Sequence, residues 1–220
     1  MIKIENIQVV GWEAAIRGMR NPMNSWEKSD SKMMWTEDPA YMDIGRPDLA
    51  MQMVLGENDL KLMMKLAKAG STHAKYRRMI VCYLDVVAPL YWHKEAETYK
   101  VGTVCNSCST MHKIHAKEFE LDDFSHEKLR ASARSALMET IKELNKLRAG
   151  YNETKNKNVW YQMIQLLPSS YNQRRTLMLN YEVLSHMYFD RKDHKLDCWR
   201  EFCRMIETLP YSQIITLKGD

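Results

Sequence analysis

The chain has 220 residues, 45% hydrophobic and 27% charged, with a formal net charge of +4. That length suits one domain with a sizeable core and strains to supply two. The scattered basic residues argue against a nucleic-acid groove, no apolar run reaches the roughly 18–20 residues of a membrane span, and MIKIENIQVV lacks the build of a signal peptide, which together predict a cytosolic protein.

In chain order, Ile2, Ile4, Ile7, Val9 and Val10 roughly alternate with polar residues and predict a first strand. A short helix is expected from Trp12, broken near Asn21-Pro22. Residues 19–56 are rich in Asn, Ser, Asp, Pro and Met, and read as a long loop, lid or interface segment. Within it, SWEKSDS from Ser25 fits a ligand-contacting loop and a plain surface loop equally, and is left outside the candidate site.

A helix capped by Asn58 follows, with Leu60, Leu62, Met63, Leu66 and Ala67 at helical spacing and Gly70 at its exit. Residues 78–88 are nearly continuously apolar, the pattern of a buried strand ended by Pro89. A helical turn is expected over 91–97. The longest helix is predicted from Ser125 to Leu147, with Leu129, Ala133, Ala136, Leu137, Ile141 and Leu144 as its apolar face. Further helices are expected over 158–166, 181–189 and 196–206, with a strand over 175–179. The fold class is α/β with α+β character, a single domain over 1–220.

Five cysteines without an export signal point to reduced thiols, and the 17 methionines to adaptable core and interface filler. KVGTVCNSCSTMH, residues 100–112, admits three readings. Cys105 and Cys108 have the spacing of half a zinc site, but Cys198 and Cys203 do not supply a matching pair. Either thiol as a nucleophile needs a base, and His112 is the nearest in sequence. Alternatively, Thr103, Asn106, Ser107, Ser109 and Thr110 beside Gly102 make a polar loop able to hold a phosphate or sugar.

Downstream, LPSSYNQRRTLMLN sets Arg174 and Arg175 side by side on a strand, where only one can face a given cleft. NYEVLSHMYFDR then places Asn180, Leu184, His186 and Arg191 along a helical stretch. Arginine suits a phosphate or the carbonyl edge of a base.

The run LLPSSYNQRRTLMLNYEVLSHMYFDR resembles the C-terminal half of the flavin-dependent thymidylate synthases, with the spacing from Pro168 to Arg174, Asn180 and Arg191 kept without a gap. HKLDCWREF resembles the following helix of that family. KLAKAGSTHAKYRRMIVCYLDVVAPLYW resembles its Lys-His-Gly-His segment, long strand and Ala-Pro. Residues 98–112 fall on its Arg-His-Arg-x-x-Ser-x-Asn-Glu-x-Ser-x-Arg-Tyr signature once one residue is inserted before Asn106. The resemblance spans about residues 57–207.

It implies a central mixed or antiparallel sheet flanked by helices. It implies reductive methylation of dUMP to dTMP, with methylenetetrahydrofolate as carbon donor, NADPH as reductant and FAD as cofactor, in a cytoplasmic homotetramer. Carried over by position, Arg174 and Ser109 fall on the substrate phosphate site, and Arg191 contacts and polarises the pyrimidine as the catalytic residue. Asn106 and Asn180 fall on cofactor positions, with His186 added to that set. No metal is implied, and neither Cys105 nor Cys108 is required.

The departures concentrate on the flavin. Arg-His-Arg reads Thr98-Tyr99-Lys100, where Lys100 could replace a phosphate contact and Tyr99 could stack on a ring. The signature Glu is Ser107, the closing Arg-Tyr is Met111-His112, Glu-His before the long strand is Arg78-Met79, and Glu182 replaces another flavin-contacting Arg. The rival readings are a methylase or hydroxymethylase of another pyrimidine deoxynucleotide, a non-catalytic nucleotide-binding homologue, and a zinc-stabilised binding module.

Overall fold

A computed structural model describes residues 2–37 and 49–218. Its strands are Lys3–Val10 (β1), Lys32–Glu37 (β2), Leu49–Val54 (β3), Val81–Pro89 (β4), Thr103–Ser107 (β5) and Asn172–Asn180 (β6). Its helices are Trp12–Arg20 (α1), Glu57–Lys68 (α2), Leu90–Ala96 (α3), Ala131–Thr154 (α4), Lys157–Leu166 (α5), Tyr181–Arg191 (α6), Asp197–Thr208 (α7) and Gln213–Thr216 (α8). One sheet has the order β1-β4-β6-β5, and β2 pairs antiparallel with β3. The architecture is mixed α/β, as the sequence indicates.

The chain divides into two compact units. The first comprises Met1–Ile7, Tyr83–Met178 and Asp193–Phe202, and the second Gln8–Cys82, Leu179–Lys192 and Cys203–Asp220.

In the first unit, Leu137, Ile141 and Leu144 recur along one stripe of α4 and pack with Met163 of α5 and with Ile114, Phe119 and Phe124. The Asn145 side chain clamps the Phe119 backbone, accepting its N–H and donating to its C=O, both at 2.9 Å. Trp92 of α3 is fully buried against Trp199 and Phe202 of α7, ring centroids 4.8 and 5.4 Å away. Helix α4 starts six residues later than its apolar pattern predicts. The Ser125 N–H donates to the Ser170 carbonyl at 2.8 Å, and the Ser125 hydroxyl to Glu127, which commits that stretch outside the helix.

In the second unit, Trp12 packs edge-on against Tyr181 and Tyr211. Residues 19–56 are not one irregular loop: they hold two short 3₁₀ turns, β2 and β3, while residues 38–48 of that segment lie outside the described residues. SWEKSDS is no plain surface loop either. Buried Asp59 of α2 accepts Nε–H of buried Arg20 at 2.7 Å, and its other oxygen accepts from the Ser29 hydroxyl, the Asp30 N–H, and the Ser31 N–H and hydroxyl. Arg20 also donates to the Ser25 and Lys28 carbonyls.

The cap of α2 comes from this loop and not from Asn58. The Asp30 carboxylate accepts the Asn58 and Asp59 N–H groups at 2.9 and 3.1 Å. Gly56 is required beside it, because a Cβ there would lie 2.2 Å from the Asp30 carboxyl carbon and 2.6 Å from its backbone carbon. Elsewhere β4 departs from continuous burial: Cys82, Leu84, Val86 and Ala88 are buried, while Tyr83 is exposed and Asp85 and Val87 are half-buried.

Asp59 anchors loop, cap and ion pair together. Asp59→Ala leaves the enclosed Arg20 guanidinium uncompensated and should cost about 3–5 kcal/mol in urea unfolding. A loss below about 1 kcal/mol would show that the network does not hold the loop.

Candidate functional site

In the first unit the candidate residues gather around β6, where Arg174 is exposed and Arg175 half-buried. Arg174 Nη2 donates to Asp85 of β4 at 2.8 Å, and its Nη1 lies 3.2 Å from Glu5 of β1. Asp85 also accepts from the Thr176 hydroxyl at 2.6 Å and the Asn6 amide at 2.9 Å. Those donors, Thr176 first, then Arg174 and Asn6, hold the Asp85 carboxyl far below the usual carboxylate range. Asp85 in turn raises the pKa of Arg174. Arg174 therefore stands fixed, with much of its charge already answered.

Arg175 donates Nε–H to Gln173 at 2.9 Å, pairs through Nη1 with Glu97, and meets Cys105 Sγ at 3.7 Å. Gln173 is the hinge pin of the polar segment. Its side chain donates to the Cys108 carbonyl at 2.5 Å, while the Cys108 N–H donates to the Arg174 carbonyl at 2.9 Å. Its own carbonyl sits 2.8 Å from Nε2 of buried His93. Burial pushes the His93 pKa down to about 4, so at neutral pH a neutral ring donates Nε2–H to that carbonyl.

Residues 103–108 thus hang from β6 through backbone groups. Asn106 and Lys100 project into solvent. Ser109 is turned upon its own loop, its oxygen accepting the Met111 and His112 N–H groups at 3.1 and 2.8 Å and leaving its O–H to donate. The Tyr99 ring lies edge-on to Trp199, centroids 6.2 Å apart. Thr103 has a buried hydroxyl oxygen with no hydrogen-bond partner. Cys105 and Cys108 are exposed free thiols. Among the described residues no group of three or more His, Cys, Asp or Glu side chains could hold a metal ion.

The second unit holds Asn180, His186 and Arg191. Asn180 caps α6, its side-chain oxygen accepting the Val183 N–H at 2.9 Å. Arg191 is half-buried in the last turn of α6, where a cation complements the helix dipole. His186 is exposed, its Nε2 3.4 Å from Glu182.

Glu182 is the anomaly of this unit. It lies 3.6 Å from Arg77, each side chain only 5% exposed. Neither Glu182 oxygen makes a hydrogen bond, and neither do Nε and Nη2 of Arg77. Unsatisfied buried charge of this kind is costly and uncommon.

Sequence reasoning missed Asp85, Glu5, His93 and the Arg77–Glu182 pair. Asp85 left a signal, as the sole charged residue in the strand VCYLDVVAP. His93 and Gln173 left none, since their roles arise from a pairing 80 residues apart in sequence.

A four-stranded sheet of order β1-β4-β6-β5, carrying an arginine-bearing strand that ends in an asparagine-capped helix, defines the fold class. Two solved structures share the fold. One is thymidylate synthase X (ThyX) from Helicobacter pylori with FAD and dUMP, at TM-score 0.67 and 14% identity over 99% of this chain and 100% of that one. The other is flavin-dependent thymidylate synthase ThyX from Helicobacter pylori complexed with FAD and dUMP, at TM-score 0.65 and 14% identity over 96% of this chain and 98% of that one. No family model and no curated protein matches the sequence. At this identity the likeness establishes the fold. Among the described residues no helix is long and apolar enough to cross a membrane.

His93 gives the site unit a pH signature. Between pH 6.5 and about 4 the unfolded His93 binds a proton that the folded residue refuses, so its contribution to stability is complete above about 6.5 and is lost as pH falls through that window. His93→Gln should remove roughly 2–3 kcal/mol of pH dependence across that window, measured by urea unfolding. Parallel pH profiles for the two proteins would contradict the assignment.

Proposed function

We propose that the protein is a divergent flavin-dependent pyrimidine-nucleotide methylase, whose reaction is the reductive methylation of dUMP to dTMP. The observation that carries this reading is the end-to-end fold likeness to an enzyme whose solved structures hold FAD and dUMP. Methylenetetrahydrofolate would provide the carbon and NADPH the reducing equivalents, in a homotetramer.

For the nucleotide, Arg174 is the phosphate anchor. Asp85 pre-sets its guanidinium, and the second partner, Glu5, is the one a phosphate would displace, because Asp85 has two further donors. Ser109, with an O–H still to donate, adds to the anchor. Arg191 stabilises negative charge developing on the pyrimidine, a contribution that grows where water is excluded. The chain's part is positioning and charge stabilisation.

For FAD, the fit is uneven. Tyr99 offers an aromatic edge, Lys100 a solvent-facing cation, Asn106 an exposed amide and Thr103 an unpartnered hydroxyl, while Asn180 and His186 would contribute from α6. When bound, the flavin supplies the hydride that completes the methyl group. Against the fit stands Glu182, a carboxylate at a position where the resemblance has a flavin-contacting Arg, already set against Arg77. That observation favours a second reading, a nucleotide-binding homologue without flavin turnover.

Titration calorimetry with dUMP separates the roles. Arg174→Ala should weaken dUMP about 10- to 100-fold, while Glu5→Gln should strengthen it about 2- to 5-fold by removing the competing carboxylate. Arg191→Ala should lower kcat/KM by about 100-fold or more. Wild-type affinity in Arg174→Ala, or weaker binding in Glu5→Gln, would overturn the anchor. Undiminished turnover in Arg191→Ala would overturn the catalytic assignment.

A further inference from the structure

The β2–β3 hairpin belongs to the second unit and is a sheet of its own, outside the four-stranded one. A two-stranded hairpin is marginal in water and needs a further layer against it. One face of this ribbon carries Met33 opposite Met53 and, two residues along, Trp35 opposite Met51. Of these four only Met53 is buried, while Trp35 is 64% and Met51 51% exposed. With Met34 and Val54 of the other face, the apolar side chains left open amount to about 500 Å², a size at which such patches are often functional.

The first face leads into a cavity of about 330 Å³, walled by Ile16 and Trp26 beside Met33 and Met53. The rest of its lining divides in two. Arg20, Ser29 and Ser31 are already hydrogen-bonded to Asp59, so that part requires no polar ligand. Glu13 and Arg17 are exposed and one helical turn apart on α1. An apolar socket with a charged margin is the anatomy of a protein interface, in which Trp and Met are enriched.

Three features point to a second copy of this chain as the occupant. Knob and socket share one face, with Trp35 about 7 Å along β2 from Met33. A two-fold axis between them seats each copy's Trp35 in the other's socket, the self-complementarity that an isologous contact requires. The margin holds one acid and one base, so Glu13 of each copy finds Arg17 of the other. Finally, about 500 Å² from each copy gives about 1,000 Å² in all, where specific interfaces begin.

We propose that this face joins two copies of the chain about a two-fold axis, each inserting Trp35 into the other's cavity between Trp26 and the Met33–Met53 pair. The inference deepens the homotetramer reading above and rests on it for the existence of an assembly.

Sedimentation equilibrium on the full chain tests it. Trp35→Ala should weaken association about 30-fold or more and halve the assembly mass at low concentration. Its far-UV circular dichroism should match wild type, because Trp35 is mostly exposed in the single chain. Glu13→Arg and Arg17→Glu should each weaken association about 5- to 10-fold by setting like charges together. The double variant carrying both should recover wild-type association to within about threefold, a rescue specific to a partner bearing the same two residues. Unchanged mass in Trp35→Ala would overturn the inference and leave a homotetramer built on other surfaces. A double variant no better than the single ones would overturn it, since the partner would then not be a second copy. A wild-type chain that stays monomeric would overturn both this inference and the homotetramer, and leave the dUMP reading to its own calorimetry.

Discussion

The Asp85 carboxylate is the constraint on which the candidate site depends. It sits in β4 and gathers Arg174 and Thr176 from β6 and Asn6 from β1, so one side chain ties three strands. Because the donors reach it from both neighbours in the sheet order, a one-residue slip of either strand would turn them to the opposite face. The same contacts fix the direction of Arg174 while answering part of its charge. Arg174 is thereby held in place, and any anion engaging it must compete with those carboxylates.

Three acids in this chain show how hydrogen bonding decides what a charge does. Asp59 is enclosed and fully served by Arg20, two hydroxyls and two backbone N–H groups, and it works as a structural anchor. Asp85 is served by side chains alone and leaves its arginine partner facing solvent, so it organises a site. Glu182 is buried beside Arg77 at 3.6 Å and has no hydrogen bond. A carboxylate in that condition is under strain in electrostatic terms, and it stands at a position that the sequence resemblance gives to a cation.

Much of the fold was readable from pattern. The alternation of Ile2 to Val10, the helical spacing through α2, and the helix expected over 181–189 after the strand over 175–179 all use local rules that tertiary contacts did not override. Where contacts competed, reading failed. The start of α4 was misplaced because Ser125 is claimed by Ser170, and the cap of α2 was misassigned because Asp30, 28 residues away, provides it. The hairpin of β2 and β3 went unseen because Met-rich strands with apolar residues on both faces carry no period-two signal. The arginines of the candidate site were legible by spacing, whereas their carboxylate partners were not, since pairing across a sheet has no local sequence signature. Asp85 alone announced itself, as a charge inside an apolar strand.

The central claim is that this scaffold still takes a flavin together with a pyrimidine nucleotide. The direct measurement is a visible absorption spectrum of the full chain after incubation with FAD and desalting, recorded with and without dUMP. The account predicts flavin bands that survive desalting and shift when dUMP is added. A protein left colourless by desalting, whether or not dUMP is present, would contradict it.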